Sequence, residues 1–191
     1  VAAYGGIPVL LDLAENAVIA LADRINSDFG SSAVGFAVDI TDEATIEENA
    51  QLLIERYGKI DGLVNNAANN PKVEDSAKKN FSRLENFPLD LWSKDLAVGL
   101  TGAYLCAKHY GFKISQNECG GSIVNISSDL GLIAPDQRLY YKSGVPQELQ
   151  QVKPVTYSVV KSGLIGLTRY LATYWAEENV RCNAMCPGGA E

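Results

Sequence analysis

Histidine and methionine are nearly missing from this chain, with one residue of each among 191, and cysteine occurs only four times. No two cysteines have the CxxC spacing of a zinc or redox motif, and a single histidine is available to join Cys182 and Cys186 at a metal. The sequence therefore predicts no metal site and no disulfide framework. We interpret the cysteines as buried, reduced thiols, which favours the cytoplasm over an oxidising compartment.

Clusters of basic residues and long apolar runs are also missing. Lysine and arginine are scattered, and the net charge of −7 disfavours a surface for nucleic acid or for an anionic membrane. No apolar run reaches the length of a transmembrane helix, and no signal-peptide pattern opens the chain. Apolar residues make up 47% of the sequence, which is enough for one globular domain with a sizeable core.

Segments with strand and helix signals alternate along the chain. Short apolar runs that end at polar residues are typical of buried parallel strands, and segments with helical apolar spacing lie between them. This alternation predicts an open, mostly parallel α/β sheet in a single domain. The predicted strands are 7–12, 33–38, 60–64, 122–126 and 180–185, and the predicted helices are 15–29, 41–57, 90–114 and 157–178.

Small or polar residues follow all five predicted strands. The carboxyl ends of parallel strands lie along one edge of a sheet, where ligands bind in open α/β folds. We therefore expect a site built from these strand ends. The residues concerned are Asp12, Asp39, Asn65 with Asn66, Ser127 with Ser128, and Pro187 with Gly188.

Two Tyr-xxx-Lys pairs occur on predicted helices, Tyr104 with Lys108 and Tyr157 with Lys161. Residues four positions apart share one face of a helix. An ammonium held beside a phenol favours the phenolate, which suits proton transfer. The spacing alone does not choose between the pairs.

Four motifs occur in the order found in the short-chain dehydrogenase/reductase family, and together they span nearly the whole chain. They are Asn65-Asn66-Ala67 after a strand, Ser128 after Ile-Val-Asn-Ile-Ser, Tyr157-xxx-Lys161, and Asn183-Ala-Met-Cys-Pro187-Gly188. The sequence resembles that family, which implies a Rossmann-type, doubly wound sheet over residues 1–191 with strand order 3-2-1-4-5-6-7. It also implies hydride transfer between NAD(P) and a carbonyl or secondary alcohol. The Tyr104 pair lies mid-helix with no serine-bearing strand before it, so we assign it to packing and surface.

The resemblance implies a catalytic role for three residues. Tyr157 would be the general acid or base, and Lys161 would favour its phenolate and bind the nicotinamide ribose. Ser128 would hold the substrate oxygen where charge develops. Ser127 should face the opposite side of the strand and is the weaker candidate.

The resemblance also assigns residues to the cofactor. They are Asp12, Asp39, Ile40, Asn65, Asn66, Ala67, Tyr157, Lys161, Pro187 and Gly188. A carboxylate at Asp12 can accept hydrogen bonds from a ribose diol and would repel a 2′-phosphate, which favours NAD over NADP. The alternative for Asp12 is simple capping of the helix that follows.

The sequence departs from the family pattern in three places, the third being the long connection described below, and we also expect it to stop short of the family's substrate lid and last strand. The glycine-rich TGxxxGxG turn and the first strand are absent, and the missing strand would lie between strands 7–12 and 60–64. We therefore expect these 191 residues to be part of a longer chain and to bind NAD poorly alone. Gly99 stands where the family usually has an asparagine in a proton relay, so catalysis could depend on a backbone carbonyl or a water, or be slower or absent.

The connection 129–156 is unusually long, which is more typical of a functional cover than of a structureless loop. Arg138, Tyr140 and Tyr141 offer charge, hydroxyls and aromatic faces that suit a sugar or another hydroxylated or phosphorylated substrate. A contact with a neighbouring subunit is the alternative. In the family the helices 90–114 and 157–177 pack against their copies, so we expect a homodimer or homotetramer.

Three functions stay open at this point. The leading hypothesis is an NAD(P)-dependent oxidoreductase acting on a secondary alcohol or ketone. A sugar-nucleotide dehydratase or epimerase would use an extended form of the fold. A non-catalytic dinucleotide-binding or regulatory protein would be consistent with Gly99 but not with the intact Ser128, Tyr157 and Lys161.

Overall fold

The computed structural model describes residues 1–69 and 82–188, which form parallel strands flanked by helices. The strands are β1 (Val9–Asp12), β2 (Val34–Ala37), β3 (Gly62–Asn65), β4 (Gly121–Ile126) and β5 (Val180–Met185). The helices are α1 (Glu15–Phe29), α2 (Glu43–Tyr57), α3 (Leu89–Leu96), α4 (Gly102–Cys106), α5 (Phe112–Ser115) and α6 (Val155–Tyr174). This arrangement confirms the predicted α/β class.

The strands form two parallel sheets. One contains β1 and β2, and the other has the order β3-β4-β5. Within the described residues β1 and β3 do not pair with each other, and Val64 on β3 is 59% exposed. In the strand order implied by the family resemblance, the missing first strand would lie here, between β1 and β3.

Local sequence signals set the ends of the first two helices. α1 ends at Gly30 and α2 at Gly58, and both glycines have the positive φ that L-residues rarely adopt, 61° and 77°. α2 begins after Asp42, whose side chain accepts a hydrogen bond from the Ala44 amide. These ends match the sequence prediction to within two residues.

The segment 89–115 runs as one helix that contains two π segments. These are Ala97–Thr101, between α3 and α4, and Ala107–Gly111, between α4 and α5. The amide of Gly102 donates to the carbonyl of Ala97, five residues back, as a π-helix requires. The sequence predicted the helix but not these wider turns.

This long helix joins the cores beneath the two sheets. Leu105 and Tyr110 pack with residues of α2 and β1–β2, while Ile114 packs with Ile123 of β4 and Trp175 after α6. One helix therefore buries apolar side chains against residues of both sheets.

Several boundaries differ from the sequence prediction. α6 starts at Val155, because Pro154 precedes it as the N-cap, and it ends at Tyr174. The connection 129–156 contains three short 3₁₀ turns, at Asp129–Gly131, Gln137–Tyr140 and Gln147–Leu149. Among the described helices none has the length and apolar content that a membrane span needs.

The cysteines only partly follow the prediction. Cys106 and Cys182 are buried, whereas Cys119 is exposed and Cys186 is half-buried. Burial raises the pKa of the Cys106 thiol to about 12 and that of Cys182 to about 11. Cys119 is exposed because it lies in the connection between α5 and β4, outside the apolar core.

Candidate active site

A cavity of about 410 Å³ lies where β4, β5 and α6 meet the connection 129–156. Ser128, Tyr157, Pro187 and Gly188, four residues named from the sequence, lie together on its wall. The remaining lining residues are Asp129, Leu130, Pro135, Asp136, Leu139 and Tyr140. Strand ends and the long connection thus enclose one pocket.

Ser128 is buried at the end of β4, and its hydroxyl makes two local hydrogen bonds. Its Oγ donates to Asp129 Oδ1 at 2.8 Å, since a carboxylate can only accept, and it accepts from the Leu130 amide at 3.2 Å. The proton of Ser128 is therefore directed at Asp129. In this arrangement the hydroxyl offers an incoming group a lone pair rather than a proton.

Tyr157 and Lys161 lie one turn apart on α6, as their spacing predicted. Lys161 is buried, and its Nζ donates to the carbonyl of Ile126 at the end of β4 over 2.7 Å. Its Nζ lies 5.8 Å from the centroid of the Tyr157 ring. Burial lowers the pKa of Lys161, an effect that Tyr157 opposes and Lys153 adds to.

Ser127 has a different partner from Ser128. Its Oγ donates to the backbone carbonyl of Lys161 at 2.6 Å, and the side chain is 2% exposed. It does not line the cavity. Ser127 therefore fastens α6 to β4 beside the lysine, in agreement with the alternation expected along a strand.

A buried polar network supports the strands below the site. Asn65 at the end of β3 donates to Asn125 Oδ1 at 2.8 Å and to the Ala103 carbonyl at 3.3 Å. Asn125, which is completely buried, donates in turn to Thr168 Oγ1 on α6 at 2.8 Å. The network links β3, β4, the long helix and α6. The sequence prediction gave Asn125 no role. An asparagine between Val124 and Ile126 in a buried strand nevertheless indicates a side chain that needs buried hydrogen-bond partners.

The other residues assigned to the cofactor lie at the carboxyl ends of β1, β2 and β3. Asp12 Oδ1 accepts from the Ala14 amide at 3.0 Å, so this carboxylate also caps the turn before α1. Asp39 accepts two hydrogen bonds from Thr41, which lower its pKa. Ile40 packs on Gly102, where an added Cβ would lie 2.6 Å from Ile40 Cδ1.

Asn66 and Ala67 follow β3 and are exposed. Pro187 and Gly188 follow β5, and the Pro187 carbonyl accepts from the Asp129 amide at 3.1 Å. This bond joins the chain after β5 to the chain after β4. The residues after β3 and those after β5 thus border the two sides of the Ser128 segment, because β4 lies between β3 and β5 in the sheet.

The three residues proposed for substrate contact occupy different places. Tyr140 lines the cavity, and burial raises its pKa, with smaller contributions from Tyr157 and Asp129. Arg138 is exposed, and its guanidinium binds Asp136 at 2.7 Å instead of lining the cavity. Tyr141 is 67% exposed and is also outside the lining.

Side-chain hydrogen bonds hold the connection 129–156 in addition to its three 3₁₀ turns. Gln150 is buried and bonds the backbone of Lys142 in both directions, at 2.9 and 2.8 Å, and the Val145 carbonyl at 2.7 Å. The Val152 amide donates to the buried Ser82 at 3.1 Å. The segment is therefore folded, and its residues 135–140 form part of the cavity wall.

Two further features of α6 were not predicted. The Lys153 ammonium, just before the helix, lies 3.6 Å from the centroid of the Tyr157 ring. Val160 occupies the space beside Gly99, because a Cβ on Gly99 would lie 2.6 Å from Val160 Cγ1. Both depend on how separate segments pack, so the linear sequence carries no direct signal for them.

The remaining predictions concern residues outside the cavity. His109 and Lys108 both bind Glu43 of α2, with His109 Nε2 3.0 Å from Glu43 Oε1. Tyr104 is half exposed on the long helix, which agrees with a packing or surface role for its pair. In the described ranges no three His, Cys, Asp or Glu side chains are grouped as a metal site would need.

Comparison with known proteins shows which class this fold and cavity define. A family model described as enoyl-(acyl carrier protein) reductase matches residues 1–191. The D-threitol dehydrogenase of Mycolicibacterium smegmatis is 29% identical over 177 residues, which are 93% of this chain and 58% of that protein. The chain belongs to the short-chain dehydrogenase/reductase family.

Solved structures give the same result. Sorbitol-6-phosphate 2-dehydrogenase from Erwinia amylovora matches 93% of this chain and 60% of its own, with a TM-score of 0.75 and 29% identity. An NAD⁺-bound xylitol dehydrogenase matches 100% of this chain and 64% of its own, with a TM-score of 0.77 and 26% identity. The chain thus spans about three-fifths of the length of these relatives.

Proposed function

We propose that the full-length protein carrying this chain is an NAD-dependent oxidoreductase that interconverts a secondary alcohol and a ketone. The observation that carries the proposal is that Ser128 and Tyr157 line one cavity while the ammonium of Lys161 is held next to them at the end of β4. Family membership supports the same class of reaction. The dehydrogenases among the relatives favour it over a dehydratase or an epimerase.

The proposed chemistry follows from the three side chains. In alcohol oxidation Tyr157, as the phenolate, accepts the single proton of the substrate hydroxyl, and Ser128 turns its own proton from Asp129 toward the substrate oxygen as negative charge develops there. The buried cation of Lys161 stabilises the tyrosine in its deprotonated form. NAD, when bound, supplies the hydride acceptor or donor. In ketone reduction the Ser128 hydroxyl would turn from Asp129 toward the carbonyl oxygen.

Residues at the strand ends fit NAD at its two nucleoside halves. Asp12 would accept from the adenosine ribose, and Asp39 with Ile40 would border the adenine. Asn66, Ala67, Pro187 and Gly188 would lie along the nicotinamide side. The carboxylate of Asp12 favours NAD over NADP, because it would repel a 2′-phosphate. An Asp12→Ser variant should narrow the preference for NAD over NADP, as measured by the ratio of their dissociation constants.

The cavity chemistry favours a neutral, polyhydroxylated substrate over a phosphorylated one. Its lining includes two carboxylates, Asp129 and Asp136, and the hydroxyls of Tyr140 and Ser128. Arg138, the cation that the sequence offered for a phosphate, is engaged with Asp136 and lies outside the lining. Carboxylates accept hydrogen bonds from sugar hydroxyls and repel a phosphate.

The test is NAD reduction by a panel of sugar alcohols, each paired with its phosphate ester, using the full-length protein and a Tyr157→Phe variant. We expect turnover of a neutral polyol and a loss of at least about a hundredfold in the variant. Equal turnover in both proteins would overturn the proposed mechanism. Tight NAD binding without turnover of any substrate would favour a regulatory dinucleotide-binding protein instead.

We also propose that the protein forms a homodimer or homotetramer. Aromatic residues stand exposed on the long helix and on α6, among them Tyr104, Phe112, Tyr170 and Tyr174. Exposed aromatic residues are enriched at protein interfaces. Analytical ultracentrifugation that finds only monomers would contradict it. A cytoplasmic location stays a prediction, based on four cysteines that form no disulfide.

A further inference from the structure

A second ammonium lies against the tyrosine of the cavity. Lys153 Nζ is 3.6 Å from the centroid of the Tyr157 ring, whereas Lys161 Nζ is 5.8 Å from it. The nearer cation is therefore the one that does not belong to the Tyr-xxx-Lys motif. A cation this close to an aromatic face interacts with its π electrons.

The backbone around Lys153 holds this arrangement. Lys153 precedes Pro154, which favours an extended conformation and ends the connection just before α6. The Lys153 amide donates to Gln137 Oε1 at 2.8 Å, so the residue is tied to the second 3₁₀ turn of the connection. Its side chain is thus directed back over the first turn of α6, where Tyr157 lies.

We propose that Lys153 is a positioning residue for Tyr157, a second cation that favours the phenolate and fixes the plane of the ring. The proposal rests on the general acid or base role of Tyr157 proposed above. It assigns Lys153 a function that the Tyr-xxx-Lys motif does not contain. Lys153 acts through Tyr157 and is not itself required to touch the substrate.

The charged and titratable groups on the side of Tyr157 come from two segments. Lys161 approaches from α6, and Asp129, Asp136 and Tyr140 of the connection line the same cavity as Tyr157. Asp136 is paired with Arg138, and Asp129 accepts from Ser128 and from the Leu130 amide. Both carboxylates of the cavity therefore have hydrogen-bond donors of their own, which weakens their repulsion of a phenolate.

Lys153 also affects Lys161, the lysine of the Tyr-xxx-Lys pair. Its positive charge adds to the effect of burial in lowering the pKa of Lys161. A positive neighbour thus favours the deprotonated form of both residues, the phenolate of Tyr157 and the neutral amine of Lys161. Removing the charge should move both proton losses to higher pH.

The experiment compares the pH profile of kcat/KM in the full-length wild-type protein and in Lys153→Met, Lys153→Arg and Lys113→Met variants. In Lys153→Met we expect both limbs of the profile to move to higher pH, by about one pH unit. Lys153→Arg, which keeps a cation, should leave the profile within a few tenths of a pH unit of wild type. Lys113 is a surface lysine of α5 that binds Gln51, so its variant controls for the loss of one positive charge.

A merely structural role for Lys153 would lower the rate without moving the profile, and that result would overturn the inference. If Lys153→Met does not fold, Lys153→Gln and a spectrophotometric titration of the phenolate replace it. The titration takes the difference between each protein and its Tyr157→Phe counterpart, and it needs no turnover. An unchanged difference curve on removing the Lys153 charge would contradict the proposal.

The two proposals fail in different ways. If Tyr157→Phe keeps full turnover, the proposed function is wrong. If Tyr157→Phe is inactive and the profile of Lys153→Met coincides with that of wild type, only the role of Lys153 is wrong.

Discussion

Gly99 and Val160 occupy one space between the long helix and α6. A Cβ on Gly99 would lie 2.6 Å from Val160 Cγ1 and 3.4 Å from Cγ2, closer than real side-chain contacts allow at the first atom. Valine is stiff at χ1 and cannot easily turn away. The branched side chain of Val160 thus fills the space that a side chain at position 99 would need. Val160 directly precedes Lys161 on α6.

The first prediction concerns this pair. Gly99→Ala should lower the free energy of unfolding by about 1–3 kcal/mol through overpacking, in spite of the higher helix propensity of alanine. Adding Val160→Ala to it should recover part of that loss, giving a favourable coupling of at least about 0.5 kcal/mol in a double-mutant cycle. Denaturant unfolding of the four proteins measures both quantities.

Gly166 gives the matched control on α6. An added Cβ there meets nothing within 4 Å, so Gly166→Ala should gain up to about 1 kcal/mol from helix propensity alone. Opposite signs for the two glycine substitutions support the packing argument. If Gly99→Ala and Gly166→Ala stabilise the protein equally, the Val160 side chain can move aside at little cost in free energy.

The same pair shows which features could be predicted from sequence. Strand ends such as Asp12 and Ser128 follow from local apolar patterns, and parallel strands bring their carboxyl ends to one edge. Gly99 was identified as a departure, but its partner was not, because the contact joins two helices 61 positions apart in sequence. Lys153 was missed for a similar reason, since its approach to Tyr157 depends on the path of the connection.

Arg138 illustrates a different difficulty. Its charge suggested a substrate contact, yet Asp136 two residues earlier binds the guanidinium through both carboxylate oxygens. Aspartate at this spacing is visible in the sequence, but a 3₁₀ turn is needed to bring the two groups together. The π segments of the long helix were likewise not predicted, because their wider turns have no distinct pattern in the sequence.

The second prediction tests the buried network at Asn125. Thr168→Val removes the hydroxyl that accepts from Asn125 and leaves only a 3.8 Å contact to Cys182 Sγ for that donor. A buried amide without a good acceptor should cost about 1–3 kcal/mol in the free energy of unfolding. Chemical denaturation followed by circular dichroism provides the measurement.

Thr173 is the control, since it lies on the same helix and also donates to the carbonyl four residues back. Thr168 Oγ1 bonds the Leu164 carbonyl, and Thr173 Oγ1 bonds that of Arg169. Thr173 is exposed, so Thr173→Val should change stability by less than about 0.5 kcal/mol. If both variants lose a similar amount of unfolding free energy, the loss comes from placing valine in the helix and not from the broken bond to Asn125.

The third prediction uses the cysteines. Cys119 is exposed and should react first with a thiol reagent in the native protein, whereas Cys106 should react only after unfolding. Burial excludes the reagent from Cys106 and raises its pKa to about 12, which removes the reactive thiolate. Mass spectrometry of labelled peptides over time distinguishes them. A Cys119→Ser variant should lose the fast phase, and fast labelling of Cys106 would contradict the buried position.

The fourth prediction concerns alkaline pH. The raised pKa of Cys106 means that the folded protein keeps a proton that the unfolded chain releases near pH 9, the ordinary value for the thiol. The unfolded state then binds fewer protons, so the free energy of unfolding should fall as pH rises from 9 towards 12. In Cys106→Ala the fall should be shallower. Denaturation midpoints of both proteins across this pH range measure the fall. If the midpoints of wild type and Cys106→Ala fall equally with pH, Cys106 is not its cause.

The last prediction concerns the cover over the cavity. Gln150→Ala would leave the backbone groups of Lys142 and the Val145 carbonyl without their side-chain partner, which should loosen the segment that follows Tyr140. We expect faster limited proteolysis between residues 141 and 150, and a substrate KM raised more than kcat is lowered. Gln147→Ala, at an exposed glutamine three residues away, should leave both measurements near wild type. If Gln150→Ala resists proteolysis as well as Gln147→Ala does, the connection is held by the backbone bonds of its 3₁₀ turns, and Gln150 is not what keeps Tyr140 at the cavity.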